Sequence, residues 1–105
     1  MSQRIALRMR LFPGREAEYR RRHDAIWPEL AALLRQAGVS DYSIWLDRET
    51  GALFATLVLA DDHAMDRLPL EPVMRRWWDH MADIMEAGPD GAPVAAPLER
   101  MFQLD

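Results

Sequence analysis

The sequence predicts an α+β protein of the ferredoxin-like, split βαβ type: one antiparallel sheet with helices on one face. Three observations carry this. The chain opens on a period-2 apolar run, continues into two stretches of helical periodicity, and between these places two strand-like runs joined by a short turn.

From Gln3 to Leu11, Ile5, Leu7, Met9 and Leu11 share one parity while Arg4, Arg8 and Arg10 take the other. That is the pattern of a strand with one buried face. Pro13-Gly14 breaks it, and from Arg15 to Gln36 Tyr19, Ile26, Leu30, Leu33 and Leu34 return at helical spacing, with Gly38 as the stop. Pro28 removes a backbone donor inside that segment and crowds the preceding turn, so the helix should kink or split near Ile26-Trp27.

Tyr42, Ile44 and Leu46 alternate with Ser43, Trp45 and Asp47, and after a turn over Arg48 to Gly51 the run Ala52 to Ala60 is apolar and partly β-branched. These runs predict a hairpin. Asp61 to Pro72 supports at most a short helix from about Asp62, bounded by Pro69 and Pro72. Met74, Trp77, Trp78, Met81 and Met85 then form an apolar stripe on a helix over Val73 to Met85, ended by Gly88-Pro89-Asp90-Gly91. Leu98 to Leu104 reads as a last short strand.

A chain of 105 residues, half of them apolar, suits one domain over 1–105. A sheet with helices on one side leaves its other face bare, and four Trp and seven Met need cover. A homodimer of the dimeric α+β barrel type, face against face, would supply it.

The net charge of −4 argues against a nucleic-acid partner, because phosphate binding needs a clustered basic field that Arg20-Arg21-Arg22 is too short to provide. With no cysteine there is neither a disulfide framework nor a thiolate metal site nor a thiol nucleophile. The N-terminus enters its alternating pattern directly, with neither a signal peptide nor a membrane span in view, which points to the cytoplasm.

Among side chains able to do chemistry, His23 stands first, since an imidazole both gives and takes a proton near neutrality. Tyr19 lies one turn before it on the same helical face, and Trp27-Pro28 follows one turn later. A histidine between Arg22 and Asp24 on a charged helix is also the usual picture of a solvated residue, and spacing alone does not separate the two. Trp77 and Trp78 point about 100° apart, so one faces the core and the other a cavity or interface, unless both merely pack. Aromatic walls suit pyranose sugars, flat and apolar on one side with hydroxyls at the rim. His23, His63 and His80 with Asp24, Asp79 and Asp83 show no paired-ligand spacing, so no metal is expected, and Asp79 and Asp83 read as a solvated helix face.

The segment Tyr19-Arg20-Arg21-Arg22-His23-Asp24-Ala25-Ile26-Trp27-Pro28-Glu29-Leu30 resembles the signature of the L-rhamnose mutarotase family. Four further blocks follow in order: Tyr42 to Asp47; Leu53-Phe54-Ala55; Arg76-Trp77-Trp78 running on to Met81 and Met85; and Pro89-Asp90 through Pro93-Val94 to Phe102. The resemblance implies a cytoplasmic, ferredoxin-like homodimer that interconverts the α and β anomers of L-rhamnose, or a related 6-deoxy or aldohexose, without a cofactor. It places the proton donor on His23 and the sugar-binding positions on Tyr19, Tyr42, Trp77 and Trp78. Met65, Pro69, Pro72 and Gly88 depart from the family pattern and bear on substrate range rather than on the chemistry. The fold by itself would also suit a dimeric α+β barrel oxidoreductase, and the aromatic site a non-catalytic sugar-binding module.

Overall fold

In the computed structural model, which describes residues 2–105, β1 (Gln3–Arg10) is followed by α1 (Glu16–Asp24), α2 (Pro28–Gln36), β2 (Val39–Asp47) and β3 (Ala52–Leu59). A 3-10 turn (Met65–Leu70), α3 (Pro72–Met81) and β4 (Ala96–Pro97) complete the chain. The strands lie antiparallel in the order β2-β3-β1-β4, so this is the expected ferredoxin-like arrangement with β1 and β3 at the centre.

Register explains the core. Leu7 lies opposite Ala55 and Met9 opposite Leu53, while Ile44 and Leu46 of β2 lie opposite Ala55 and Leu53. Residues directly opposite share a face, so the apolar parity of all three strands points to the helices. There Leu53 is buried with Leu30 of α2, Met74, Trp77 and Met81 of α3, and Ile84 and Met85 just beyond it, while Leu57 is buried in a second cluster with Val39 and Leu59. Each large apolar side chain enclosed in this way contributes on the order of 1.5–3 kcal/mol.

Pro28 divides the first helical segment as its chemistry requires. It occupies the first turn of α2, where a missing N–H costs nothing, and Trp27 before it is extended at φ −61° and ψ 128°. α2 ends at Gln36, and Gly38 follows in the left-handed region at φ +88°.

Three boundaries differ from the sequence reading. β2 begins at Val39 rather than Tyr42, with a bulge between Ser40 and Ser43. α3 stops at Met81, and Met85 is buried instead through a bridge to Leu11. The strand expected over Leu98 to Leu104 does not form; β4 is only Ala96–Pro97, paired with Arg8 and Leu7. Pro97 has no N–H to continue a ladder, and the apolar residues beyond it find no face within their own chain. Met101, Phe102 and Leu104 are strongly exposed, as is Trp45 on the helix-free side of the sheet. Among the described residues no helix is long and apolar enough to cross a membrane.

Candidate active site

Tyr19 and His23 are one turn apart on α1, and their rings stack at 4.3 Å with 24° between planes. Tyr19 is the buried residue of this helix, while His23 is half-buried. The indole of Trp77, 6% exposed, meets the imidazole edge-on at 5.3 Å and 88°. Trp27, turned inward by Pro28, packs on Trp77 at 5.1 Å, and His80 lies 5.6 Å from Trp27 and 5.7 Å from Trp77. His23 therefore stands in an aromatic frame built from α1, the α1–α2 break and α3.

The imidazole nitrogens have different tasks. Nδ1 is 3.1 Å from the carbonyl oxygen of Tyr19. A carbonyl can only accept, so Nδ1 carries a proton and Nε2 is left as the atom that exchanges protons. Desolvation holds the His23 pKa below its ordinary 6.5, against the opposing pull of the Tyr19 carbonyl and the Asp24 carboxylate. Burial raises the Tyr19 phenol, with a smaller contribution from nearby Tyr42, so its hydroxyl keeps its proton.

Tyr42 reaches this side of the sheet through the β2 bulge. Val39 lies opposite Leu59 on the helix side, so simple alternation would send position 42 to the open side. The extra residue at the bulge, Asp41 in the left-handed region at φ +46°, reverses the parity and brings Tyr42 onto the side of Ile44 and Leu46. Arg4 of β1 forms an ion pair with Asp41. Tyr42 is 43% exposed, yet its surroundings raise its phenol pKa by desolvation, leaving it a protonated hydroxyl near Tyr19.

Of the residues singled out in the sequence, Tyr19, His23 and Trp77 come together directly, and Tyr42 lies close enough to act on Tyr19. Trp78 is half-buried and packs on the core without joining the ring cluster. The sequence reading set Trp27 one turn from His23 but did not place His80 beside Trp77 or Arg22 against Glu18, although spacings of three and of four residues are local signals for both. His63 serves locally, its Nδ1 accepting from the Met65 N–H at 3.3 Å. Among the described residues no group of three His, Asp or Glu could hold a metal ion. Two open concavities of about 520 and 400 Å³ lie by contrast on the helix-free side, the larger lined by Arg8, Arg10 and Phe54 and the smaller by Arg4, Ala6 and Leu98.

The arrangement offers one desolvated imidazole with a free Nε2, two protonated phenols and an indole wall, which suits proton transfer on a neutral, hydroxyl-rich ring. Comparison with known proteins agrees in kind. Residues 4–104 match a family model described as L-rhamnose mutarotase. The L-rhamnose mutarotase of Verminephrobacter eiseniae is 62% identical over 99% of this chain and 98% of its own length. That of Mesorhizobium japonicum is 60% identical over 99% of both. The crystal structure of L-rhamnose mutarotase from Formosa agariphila superposes with a TM-score of 0.91 at 44% identity, covering 98% of this chain and 99% of that one.

Proposed function

This chain belongs to the L-rhamnose mutarotase family, and we propose that it interconverts the α and β anomers of L-rhamnose with His23 as the proton donor. The observation that carries the assignment to His23 is its bond from Nδ1 to the Tyr19 carbonyl, which leaves Nε2 as the nitrogen able to exchange protons. The family match over almost the whole chain favours this reading over an oxidoreductase of the same fold and over a sugar-binding module without activity.

In ring opening, protonated Nε2 gives its proton to the endocyclic oxygen as the anomeric hydroxyl gives its own to water or to the Tyr19 hydroxyl. The bond between C1 and the ring oxygen breaks and an aldehyde forms. Rotation about C1–C2 turns the other face of the carbonyl toward the C5 hydroxyl formed from the ring oxygen, and the reverse proton transfers close the other anomer. Since its pKa is raised, Tyr19 can relay only by accepting and donating together, never as a standing phenolate. These steps move protons and break and reform one C–O bond with no change of oxidation state, and they call for no cofactor. Tyr42, Trp77 and Trp78 are proposed to bind the sugar, Tyr42 through its hydroxyl, Trp78 by its ring, and Trp77 mainly by backing the imidazole.

Saturation-transfer NMR on L-rhamnose tests the donor. The His23→Ala protein is expected to retain its near-UV spectrum and to lose about 100- to 10,000-fold of the catalysed exchange, the range of general acid help. Undiminished exchange would remove His23 from the reaction.

The same proposal makes the protein a cytoplasmic homodimer working in rhamnose metabolism, with the chain folded as one domain. The exposed Trp45, Met101, Phe102 and Leu104 support the dimer, since a surface this apolar is costly to leave in water. A second copy, sheet against sheet with its own tail, offers matching chemistry.

A further inference from the structure

α1 is weakly anchored by apolar packing. Tyr19 is its buried residue, and its backbone makes at most a few close approaches to any other helix or strand. A helix held by so little could pivot, and His23 would move with it.

The polar fastening falls on Arg22, whose side chain is only 11% exposed. Its Nε donates to Glu18 Oε2 at 2.7 Å on the same helix. Nη1 donates to Asp83 Oδ1 at 2.8 Å and to the His80 carbonyl at 2.6 Å, and Nη2 to Asp83 Oδ2 at 3.2 Å. The His80 carbonyl belongs to the last turn of α3, where carbonyls lack helical partners and a cation complements the helix dipole. A planar guanidinium gripping a carboxylate with two nitrogens sets angle as well as distance. The pairing in turn holds the Asp83 carboxyl below its ordinary pKa.

The position of this grip matters. Arg22 immediately precedes His23, and Trp77 lies one turn before His80, so the guanidinium joins the two segments whose rings meet at 5.3 Å. We propose that Arg22 is a positioning residue: by tying Glu18 of α1 to the C-terminal carbonyl of α3 and to Asp83 just beyond that helix, it sets where the His23 imidazole stands against Trp77. This rests on His23 being the proton donor as far as rate is concerned, though not as far as ring placement is concerned. Proton transfer depends steeply on placement, and a displacement of about 1 Å can cost on the order of 100-fold in rate.

Asp83→Asn, Arg22→Gln and Arg22→Lys in the full chain separate positioning from plain support. Anomer exchange is followed against L-rhamnose concentration, and the His23 imidazole is titrated by NMR. Asp83→Asn and Arg22→Gln are expected to lower kcat about 10- to 100-fold, with KM changed by less than about twofold. His23 should titrate closer to 6.5 as its ring gains water. Arg22→Lys should recover part of kcat, because an ammonium replaces the charge but not the fork. If Arg22→Gln does not fold, Asp83→Asn decides alone, since it keeps the shape of the side chain. A folded Asp83→Asn protein with parental kcat and an unmoved His23 titration would overturn the proposal. Should His23→Ala prove active, the donor reading fails by itself, and the His23 titration in the Arg22 variants still reports whether the guanidinium places the ring.

Discussion

The sign of the His23 shift makes opposite demands on rate and stability. A donor must be protonated, so catalysed exchange is available below the folded pKa and lost as pH rises through it. With that pKa depressed below 6.5, exchange corrected for the uncatalysed reaction should rise as pH is lowered through an inflection under 6.5, and the inflection should vanish in His23→Gln. Exchange that instead falls on acidification would make Nε2 the base. Stability runs the other way. The unfolded imidazole takes its proton first, so this residue favours the fold fully above 6.5, and that share is withdrawn as pH falls toward the folded value. Desolvation by the Tyr19 and Trp77 rings thus makes a stronger acid at some cost in acid resistance.

At the scale of elements, the site depends on three interruptions of regular structure. Pro28 turns Trp27 inward, the bulge at Asp41 moves Tyr42 to the helix side, and Gly38 lets α2 end beside the loop after β3. A side chain at Gly38 would meet His63 Cα at 3.1 Å and Ala60 Cβ at 3.3 Å while holding a positive φ. Gly38→Ala should therefore cost about 1–3 kcal/mol in urea unfolding, with an m-value like that of the parent. Loss of less than half the lower figure would show that the turn relaxes freely. α1 differs from the other helices because ion pairs do much of its anchoring. Glu18, its carboxyl lowered to about 2 by hydrogen bonds from Arg21 and Arg22, keeps its share of that anchoring above its ordinary 4.5 and loses it as pH falls through about 2.

Over the whole molecule, the proposed chemistry and the proposed dimer contact fall on opposite sides of one sheet. The helix side holds the imidazole and its rings, and the other side presents Trp45 on the edge strand β2, while the exposed apolar tail leaves from β4 at the opposite edge. If a second copy covers that side, replacing Met101, Phe102 and Leu104 together by Ser should turn a dimer into a monomer in light scattering, while residues 2–97 keep their secondary structure. A parent protein that is already monomeric at micromolar concentration would dispose of the dimer. The sequence alone determined which parity of each strand is buried, where the first helix must split, where α2 stops, and which histidine and tyrosine share a helical turn. These are effects of local periodicity and backbone sterics, acting within about one turn or one pleat. Only the tertiary structure decided that Arg22 grips Asp83, that Trp27 packs on Trp77, that β2 reaches back to Val39 through a bulge, and that the tail forms no strand. Each of these depends on how segments distant in the chain pack or pair, and local pattern carries no record of such partners.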